Sequence, residues 1–569
     1  MKPTTSTFSQ SGAEVFTVQA GLSFLENVQG QLEQVRAGHS KAIRLSPGRH
    51  EVHASALPRR ACFVSNHDAG VRAVLFDLNN LNDITIDGQG AELVFHGEVI
   101  PFLATGCRNI TVRDLTLDWA RPFLSQGLVL NADEGQLDLE MDANHPFEVQ
   151  DDRPVFTGDE YRSDSLHNML AFDPARRETA FRARDHYGVM KSLRAEAVDP
   201  SNPHRLRLFG KFEHPTPAGQ VIVIKHHSRA APGLCFIHCD GVDIENVTVH
   251  HAGGMGFVAQ ASRNLKLSRC AVAPRAGSDR MFSTHADATH FTDCYGKIEL
   301  LDCTFENQLD DATNIHGVYR RIDGGGKTRQ VKARLVHHQQ DGLHTVAAGD
   351  ELAFTDDRDF TLIGHARVTE VEHPDTATAV YTLDREVDLR DGHTVAMRWD
   401  HDINVRIAGC TAGKNRARGF LVSTLGRVMI ENNTLHTPGS AIQCCCDASS
   451  WYESGPVENV TVIGNRFNDC LYGVWGRALI AVNPVLNGSS DIPPVNKNIR
   501  VIDNDIVSSD PRLVFARSVA GFEFTDNRLV ASTTYPRDTS GPAFDFDASV
   551  EPVERQAIDE FTAAIESSR

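Results

Sequence analysis

The sequence predicts an all-β protein: a right-handed parallel β-helix carrying two inserted antiparallel β subdomains of barrel-like type. Three observations predict it. A strand-like octet recurs ten times, several copies lie 23 residues apart, and one column of the octet ends in four consecutive asparagines.

The octet reads apolar-x-apolar-x-x-X-x-apolar and begins at Ile84, Ile110, Val242, Leu265, Ile298, Val405, Val428, Val460, Ile499 and Phe522. Its first and third positions are apolar in every copy, the period-two signature of a strand with one buried face. Steps of 23 residues separate 242 from 265, 405 from 428 and 499 from 522, and other steps are 26, 32, 33 or 39. Fixed coils with loops of variable length give such spacing, and a repeat of about 20–30 residues is a solenoid turn. From the third repeat the sixth column reads Val247, Cys270, Cys303, Cys410, Asn433, Asn465, Asn504 and Asn527. Asparagines stacked at one bend satisfy each other's donors and acceptors, the condition for burying them. Cysteines fill the same column as small, tolerant residues. A sandwich would not keep this column.

Two gaps interrupt the coil. Residues 120–235 and 318–400 hold alternating strands such as LRLFGKF and QVIVIKHH, and the glycine hairpin YRRIDGGGKTRQ. The expected organisation is an N-terminal cap with the first coils (1–119), an inserted antiparallel subdomain (120–235) and central coils (236–317). A second insert (318–400), C-terminal coils (401–548) and a helical tail (549–569) follow. ENVQGQLEQVRAG is amphipathic and, with the next strand and the turn SPGRH, is expected to cover the open edge of the first coil. VERQAIDEFTAAIESS is expected to cap the other end as a helix.

Composition narrows the partners. The 41% hydrophobic content sustains a large core. A net charge of −19 argues against nucleic acid and anionic membrane, which attract clustered Lys and Arg, and is compatible with a neutral sugar. The opening MKPTTSTFSQ lacks an apolar signal core, and no stretch approaches ~18 uninterrupted apolar residues. The chain as it stands is therefore expected to be soluble without an export signal, and secreted if a signal peptide was removed. Twelve cysteines, including the run Cys444-Cys445-Cys446, make a poor disulfide framework, and Cys235 and Cys239 lack the partners of a zinc site. Free, mostly buried thiols are expected.

FENQLDDATNIHG (305–317) sets Asp310 and Asp311 side by side between a strand and a glycine turn. Taken alone the pair fits an acidic turn, a calcium ligand pair or catalytic acids. THADATHF (284–291) and LDDATNI (309–315) share Asp-Ala-Thr, and Asp287 precedes Asp311 by 24 residues, one coil. Coils stack about 4.8 Å apart, so Asp287 is expected directly below Asp311, with Asp310 as neighbour. Crowded carboxylates raise at least one pKa, which is what a general acid beside a general base needs. Inverting glycosidases hold such a pair about 6.5–9.5 Å apart, retaining ones about 5–5.5 Å.

In DASSWYESG (447–455), Trp451 and Tyr452 offer faces on which sugar rings stack, while Asp447 and Glu453 can bind hydroxyls. Core packing is the structural alternative for the aromatic pair. Arg416 and Arg418 in KNRARGF are further hydroxyl-ligand candidates, as is His316, which a structural bond within the coil explains equally well. GGMGFV (253–258) lacks the Lys and Ser/Thr of a phosphate loop and reads as the coil turn below Asp287, kept small so that something can approach. HHQQDGLH (337–344) fits no closed metal site and reads as a solvated strand end.

In combination, TIDGQG, LTLDWARPF, HADATHF, QLDDATNIHG, NRARGFLVST and DASSWYESG resemble glycoside hydrolase family 110, across roughly residues 80–470. These are α-1,3-galactosidases that remove terminal galactose from blood group B-type and related glycans. The resemblance implies a right-handed parallel β-helix with β-barrel-like insertions, and anomeric inversion without a metal or other cofactor. It implies Asp310 as general acid, Asp311 and Asp287 sharing the general-base role, and Arg416, Asp447, Trp451, Glu453, Asn314 and His316 as substrate-binding residues. The cysteines before Asp447 depart from the family pattern. The implied partner is a galactose-terminated oligosaccharide or glycan, with no nucleic acid and no membrane, and the flanks and inserts offer surfaces for a homodimer. Two other readings stand beside this one. A polygalacturonase-type β-helix hydrolase also clusters aspartates, but its anionic substrate wants basic groups beside them. A non-enzymatic carbohydrate-binding solenoid has no reason to stack acids in one cleft.

Overall fold

The computed structural model describes residues 23–197, 201–486, 488, 492–536, 541–546 and 555–567. The opening ten residues, read above for an export signal, lie outside the described residues. The chain folds as a right-handed parallel β-helix whose walls are a nineteen-stranded and a thirteen-stranded sheet. Its octets stack as their pattern requires. Ile84 pairs with Ile110 and Ile110 with Val242. The register then runs Val242, Leu265, Ile298, Val405, Val428, Val460, Ile499, Phe522, each beside the next. Arg108–Trp119 pairs directly with Asp240–Val249, and Tyr295–Leu301 with Ile403–Ala408, so each insert loops out from between adjacent coils.

The bend inside each octet has two causes. The fifth position is left-handed at Asp114, Asn246, Arg269, Asp302, Gly409, Asn432, Gly464, Asp503 and Asp526, a conformation that Gly, Asn and Asp adopt most readily. The sixth side chain turns inward and is satisfied there. Asn433 donates its backbone N–H (3.0 Å) and Nδ2 (2.9 Å) to Oδ1 of Asn465. Asn465 does the same to Asn504, and Asn504 to Asn527. The second Nδ2 hydrogens go to the carbonyls of Ile407, Ile430, Val462 and Val501. Above the ladder, Cys410 donates its N–H to Asn433 Oδ1 at 2.8 Å, and Cys270, Cys303 and Cys410 direct their thiols at carbonyls of neighbouring coils. All twelve cysteines are free, and all but the half-buried Cys445 are buried.

Helix α1 (Phe24–Arg36) starts at a capping box between Ser23 and Glu26 and buries Val28, Leu32 and Val35. Helix α2 (Arg555–Ser567) sets Ile558, Phe561 and Ile565 into the core at the opposite end. Among the described residues no helix is long and apolar enough to cross a membrane. The first insert forms a seven-stranded antiparallel sheet with a three-stranded companion; the second closes into a six-stranded barrel around its own core, which includes Ile322, Leu352 and Phe354.

Asn465→Ala leaves two donors of Asn433 without an acceptor in the core. At about 1–3 kcal/mol per unsatisfied group, chemical denaturation should show a loss of about 2–6 kcal/mol. A loss below about 1 kcal/mol would mean that the ladder contributes little.

Candidate active site

The site is built on the thirteen-stranded wall, where Thr289–Thr292, Thr313–Val318, Phe420–Ser423 and Ile442–Cys444 stack in order. Thr289 pairs with Thr313 and Thr313 with Phe420. Asp287, Asp311 and Arg418 each precede one of these partners by two residues, so they form a column. The Asp311 N–H donates to Asp287 Oδ1 at 3.3 Å, and Ala288 N–H to the Asp311 carbonyl at 3.0 Å. Arg418 grips Asp311 from the next coil through its backbone N–H (3.0 Å), Nε (2.9 Å) and Nη2 (2.7 Å). Beside the column, Asp310 receives Arg229 Nη2 at 2.6 Å and Arg416 Nη1 at 2.9 Å. Arg416 is forked onto Asp185, which also accepts Trp475 Nε1 at 3.0 Å. One oxygen of each of Asp287, Asp310 and Asp311 lies within 4.8 Å of the others. That is close enough to hold a cation, although three guanidiniums already supply countercharge.

Position decides which carboxyl keeps a proton. Burial raises Asp287 to about 7, with the Asp310 carboxylate adding to the effect. Burial would also raise Asp310, but Arg416 and Arg229 outweigh it and hold this carboxylate below its usual range. Burial pushes Asp311 up to about 7 as well, against its three donors from Arg418, so Asp287 and Asp311 hold a proton between them beside the ionised Asp310.

A histidine chain runs from the coil to Asp287. His316 Nδ1 is 2.6 Å from the Gly317 carbonyl, which can only accept, so that nitrogen carries the hydrogen. His316 Nε2 lies 3.1 Å from His290 Nε2. Burial holds His290 well below its ordinary pKa, and its Nδ1 faces Asp287 Oδ2 at 2.8 Å.

The pocket above these groups has a volume of about 490 Å³ and reaches from Asp287, Asp310 and Asp311 to Trp451 and Trp475. Of the residues singled out from sequence, Asn314, Arg416, Asp447, Trp451 and Glu453 line it. Their chemistry differs. Asn314 holds Glu453 through Nδ2 at 3.2 Å, and its buried Oδ1 has no hydrogen-bond partner among the described residues. Glu453 also accepts from Asn66 at 3.2 Å. Asp447 accepts the N–H groups of Ser449, Ser450 and Trp451, so it shapes the loop that carries Trp451. Arg416 is occupied between two carboxylates.

His316 does not reach the pocket. Its ring is fully buried behind Glu453, with Nε2 3.6 Å from that carboxylate, which corrects its reading as a substrate ligand. Tyr452 is turned into a separate core cluster with Tyr319. In GGMGFV, added Cβ atoms would strike Phe123 at Gly253, His67 at Gly254 and the Ala288 carbonyl at Gly256, so close internal packing keeps that turn small. His337 of HHQQDGLH stacks on Trp451 at 4.3 Å, behind the pocket wall. Arg229, Asp185, Tyr187 and Trp475 were not found from sequence. Each comes from an insert or a long loop, where no periodicity assigns a place.

Fold and site together define a β-helical protein built around a recessed carboxylate–arginine pocket. Residues 125–222 match the family described as GLAA-B beta-barrel domain I, and residues 330–389 match GLAA-B beta-barrel domain II. The chain is 31% identical over 504 residues to alpha-1,3-galactosidase A of Shewanella woodyi, covering 87% of this chain and 81% of that one. It is 29% identical over 522 residues to alpha-1,3-galactosidase B of Bacteroides thetaiotaomicron (89% and 83%). It is 28% identical over 525 residues to alpha-1,3-galactosidase A of Bacteroides fragilis strain ATCC 25285 (90% and 86%). The chain belongs to this α-1,3-galactosidase family. Among solved structures, a tailspike protein of E. coli bacteriophage HK620 aligns with a TM-score of 0.36 at 10% identity, over 95% of this chain and 65% of that one. A Yersinia enterocolitica family 28 exopolygalacturonase aligns at 0.35 and 10%, over 94% and 77%.

The raised Asp287 has a thermodynamic consequence. Between its ordinary value of 3.8 and about 7, the folded protein holds a proton that the unfolded chain releases. Stability from this group is therefore lost as pH rises through that window. The thermal midpoint of Asp287→Asn, measured relative to wild type, should climb between pH 4.5 and 7.5. A difference that does not change with pH would take the proton off Asp287.

Proposed function

We propose that the chain is an exo-acting glycoside hydrolase that releases terminal α-1,3-linked galactose from blood group B-type or related α-galactosyl glycans, with inversion. The observation that carries the reading is the carboxylate cluster at the floor of a pocket, in a chain whose relatives are named alpha-1,3-galactosidases. A cavity of about 490 Å³ suits a terminal sugar rather than a threaded polymer. The faces of Trp451 and Trp475 offer the stacking contacts that a galactose ring uses.

Asp310 has the most exposed side chain of the three acids, 13% against 4% for Asp287 and 2% for Asp311. That exposure supports it as the acid that meets the glycosidic oxygen, and it gives its proton to that oxygen as the bond to the anomeric carbon breaks. A water held against Asp311, with Asp287 behind, loses a proton to the carboxylate as its oxygen bonds that carbon. In the empty site Asp310 is ionised and the Asp287–Asp311 pair holds the proton, so the productive state needs that proton on Asp310. Substrate hydroxyls that draw Arg229 and Arg416 away from Asp310 favour the transfer.

One observation favours a second reading. The nearest carboxylate oxygens, within 4.8 Å, lie closer to the retaining spacing of about 5–5.5 Å than to the inverting range. NMR of the first-formed galactose decides between them: the β-anomer supports inversion, the α-anomer retention.

A leaving-group comparison tests the roles. On an α-1,3-galactobioside, Asp310→Asn should lower kcat about 10²–10⁴-fold, with a much smaller loss on p-nitrophenyl α-galactoside, whose leaving group needs little protonation. Asp311→Asn should lose both. If Asp287→Asn instead spares the aryl substrate, the proton donor is Asp287. Release should survive EDTA; cleavage of polygalacturonate instead, or glycan binding without cleavage, would overturn the reading.

A further inference from the structure

Four arginines line the pocket, and three of them are spoken for: Arg229 and Arg416 are bonded to Asp310, and Arg418 to Asp311. The fourth, Arg477, is exposed, and among the described residues no carboxylate lies within ion-pair distance of it. The carboxylates of the adjoining coils have other partners, Asp510 in Arg512 and Asp545 in Arg517. A guanidinium without a counter-ion at the rim of a carboxylate pocket is not explained by the balance of the floor.

The side chain is nevertheless held in place. Its Cζ stands 4.8 Å over the Phe515 ring, on which Arg517 also packs at 4.3 Å. The preceding carbonyl, that of Gly476, accepts Arg512 Nη1 at 3.3 Å. A Cβ at Gly476 would fall 2.5 Å from both Leu471 Cδ2 and the Ser440 nitrogen, so the backbone there is packed tightly. Two residues back, Trp475 is tied to Asp185. A guanidinium resting on a ring keeps its in-plane N–H groups for another acceptor. Gly476 and Arg477 also line a second cavity of about 210 Å³, walled by Arg512, Phe515 and Asp545 among others. The two cavities meet at this residue. A terminal sugar lies against the buried acids, so an exposed side chain shared with the outer cavity faces the part of the glycan beyond the scissile bond.

We propose that Arg477 reads an anionic substituent, a sulfate ester or a carboxylate, on the sugar that leaves, so that the preferred substrates are α-galactosides of acidic glycans. The inference rests on the galactosidase reading above. The planar fork of a guanidinium matches two oxygens of either group, where a hydroxyl offers it one acceptor. In a chain of net charge −19 the surrounding field repels an anion, and an uncompensated cation at the rim marks where one is received.

Calorimetry on the Asp310→Asn protein compares three probes: an α-1,3-galactobiose, the same disaccharide oxidised at its reducing end to the galactonate, and the disaccharide with a sulfate ester on its reducing galactose. At low ionic strength one anionic probe or both should bind about three- to tenfold more tightly than the neutral one, and which of them does so separates carboxylate from sulfate. The preference should shrink in about 0.5 M salt. Adding Arg477→Gln should bring the ratio to about one, while Arg477→Lys, with charge but no fork, should keep part of it. Anionic probes that bind no better than the neutral one, or a preference that survives Arg477→Gln, would overturn the proposal. Galactose release from the same probes by the wild-type protein reports on the hydrolase reading separately: an Arg477-dependent preference without release would overturn that reading and keep the anion contact.

Discussion

The ladder of backbone hydrogen bonds joining Thr289–Thr292, Thr313–Val318 and Phe420–Ser423 sets the height of every group at the pocket floor. Its register is locked from the inside, where Phe291, Ile315 and Val422 stack as partners and are almost wholly buried. A slip of one residue would turn these side chains outward and expose a hydrophobic row, so packing forbids it. Asp287 and Asp311 are therefore held together by the core, against their mutual repulsion. Two carboxylates on a free loop would move apart.

Burying them still has to be compensated, because an isolated buried charge is very costly. The compensation comes from three directions. Arg418 and Arg416 belong to the next coil, Arg229 to the segment returning from the first insert, and Asp185 within that insert balances the second charge on the site's flank. Lys225 lies underneath, its ammonium bonded to the carbonyls of His285 and Leu309, and burial with nearby Arg416 lowers it to about 7. Each of these four cations has its anion or carbonyl.

Where geometry repeats, the sequence was legible to the residue. The octets named from apolar alternation are the register partners, the asparagine column is a continuous amide ladder, and Asp287 stands one coil from Asp311. A further repeat was present but unread: Asn, Asp or Gly dominates the fifth octet position because the coil turns there through left-handed backbone. Legibility ended where contacts depend on tertiary placement. Asn314 and His316 share a strand face, yet only the fold shows that Glu453 lies over His316. Asp447 looked like a ligand by residue type, whereas three amides of its own loop take its oxygens. Arg229 and Asp185 carry no local pattern, and only the returning inserts bring them to Asp310.

The inserts leave and return without disturbing the coil. Ile298 pairs with Val405 in the same register as Val405 with Val428, although the first pair spans the whole second insert. Loop closure entropy grows only slowly with length, so the β-helix tolerates large changes there at small thermodynamic cost. Both inserts nevertheless bear on the pocket, the first through Tyr187 in its lining and Asp185 on Arg416, the second through His337 against the back of Trp451. The acids at the floor and the walls above them are thus fixed by separate constraints, coil register for one and insert packing for the other. Wall residues can change with the glycan to be accommodated while the carboxylate column keeps its geometry, and this separation lets one coil architecture hold a constant chemical centre beneath a variable binding surface.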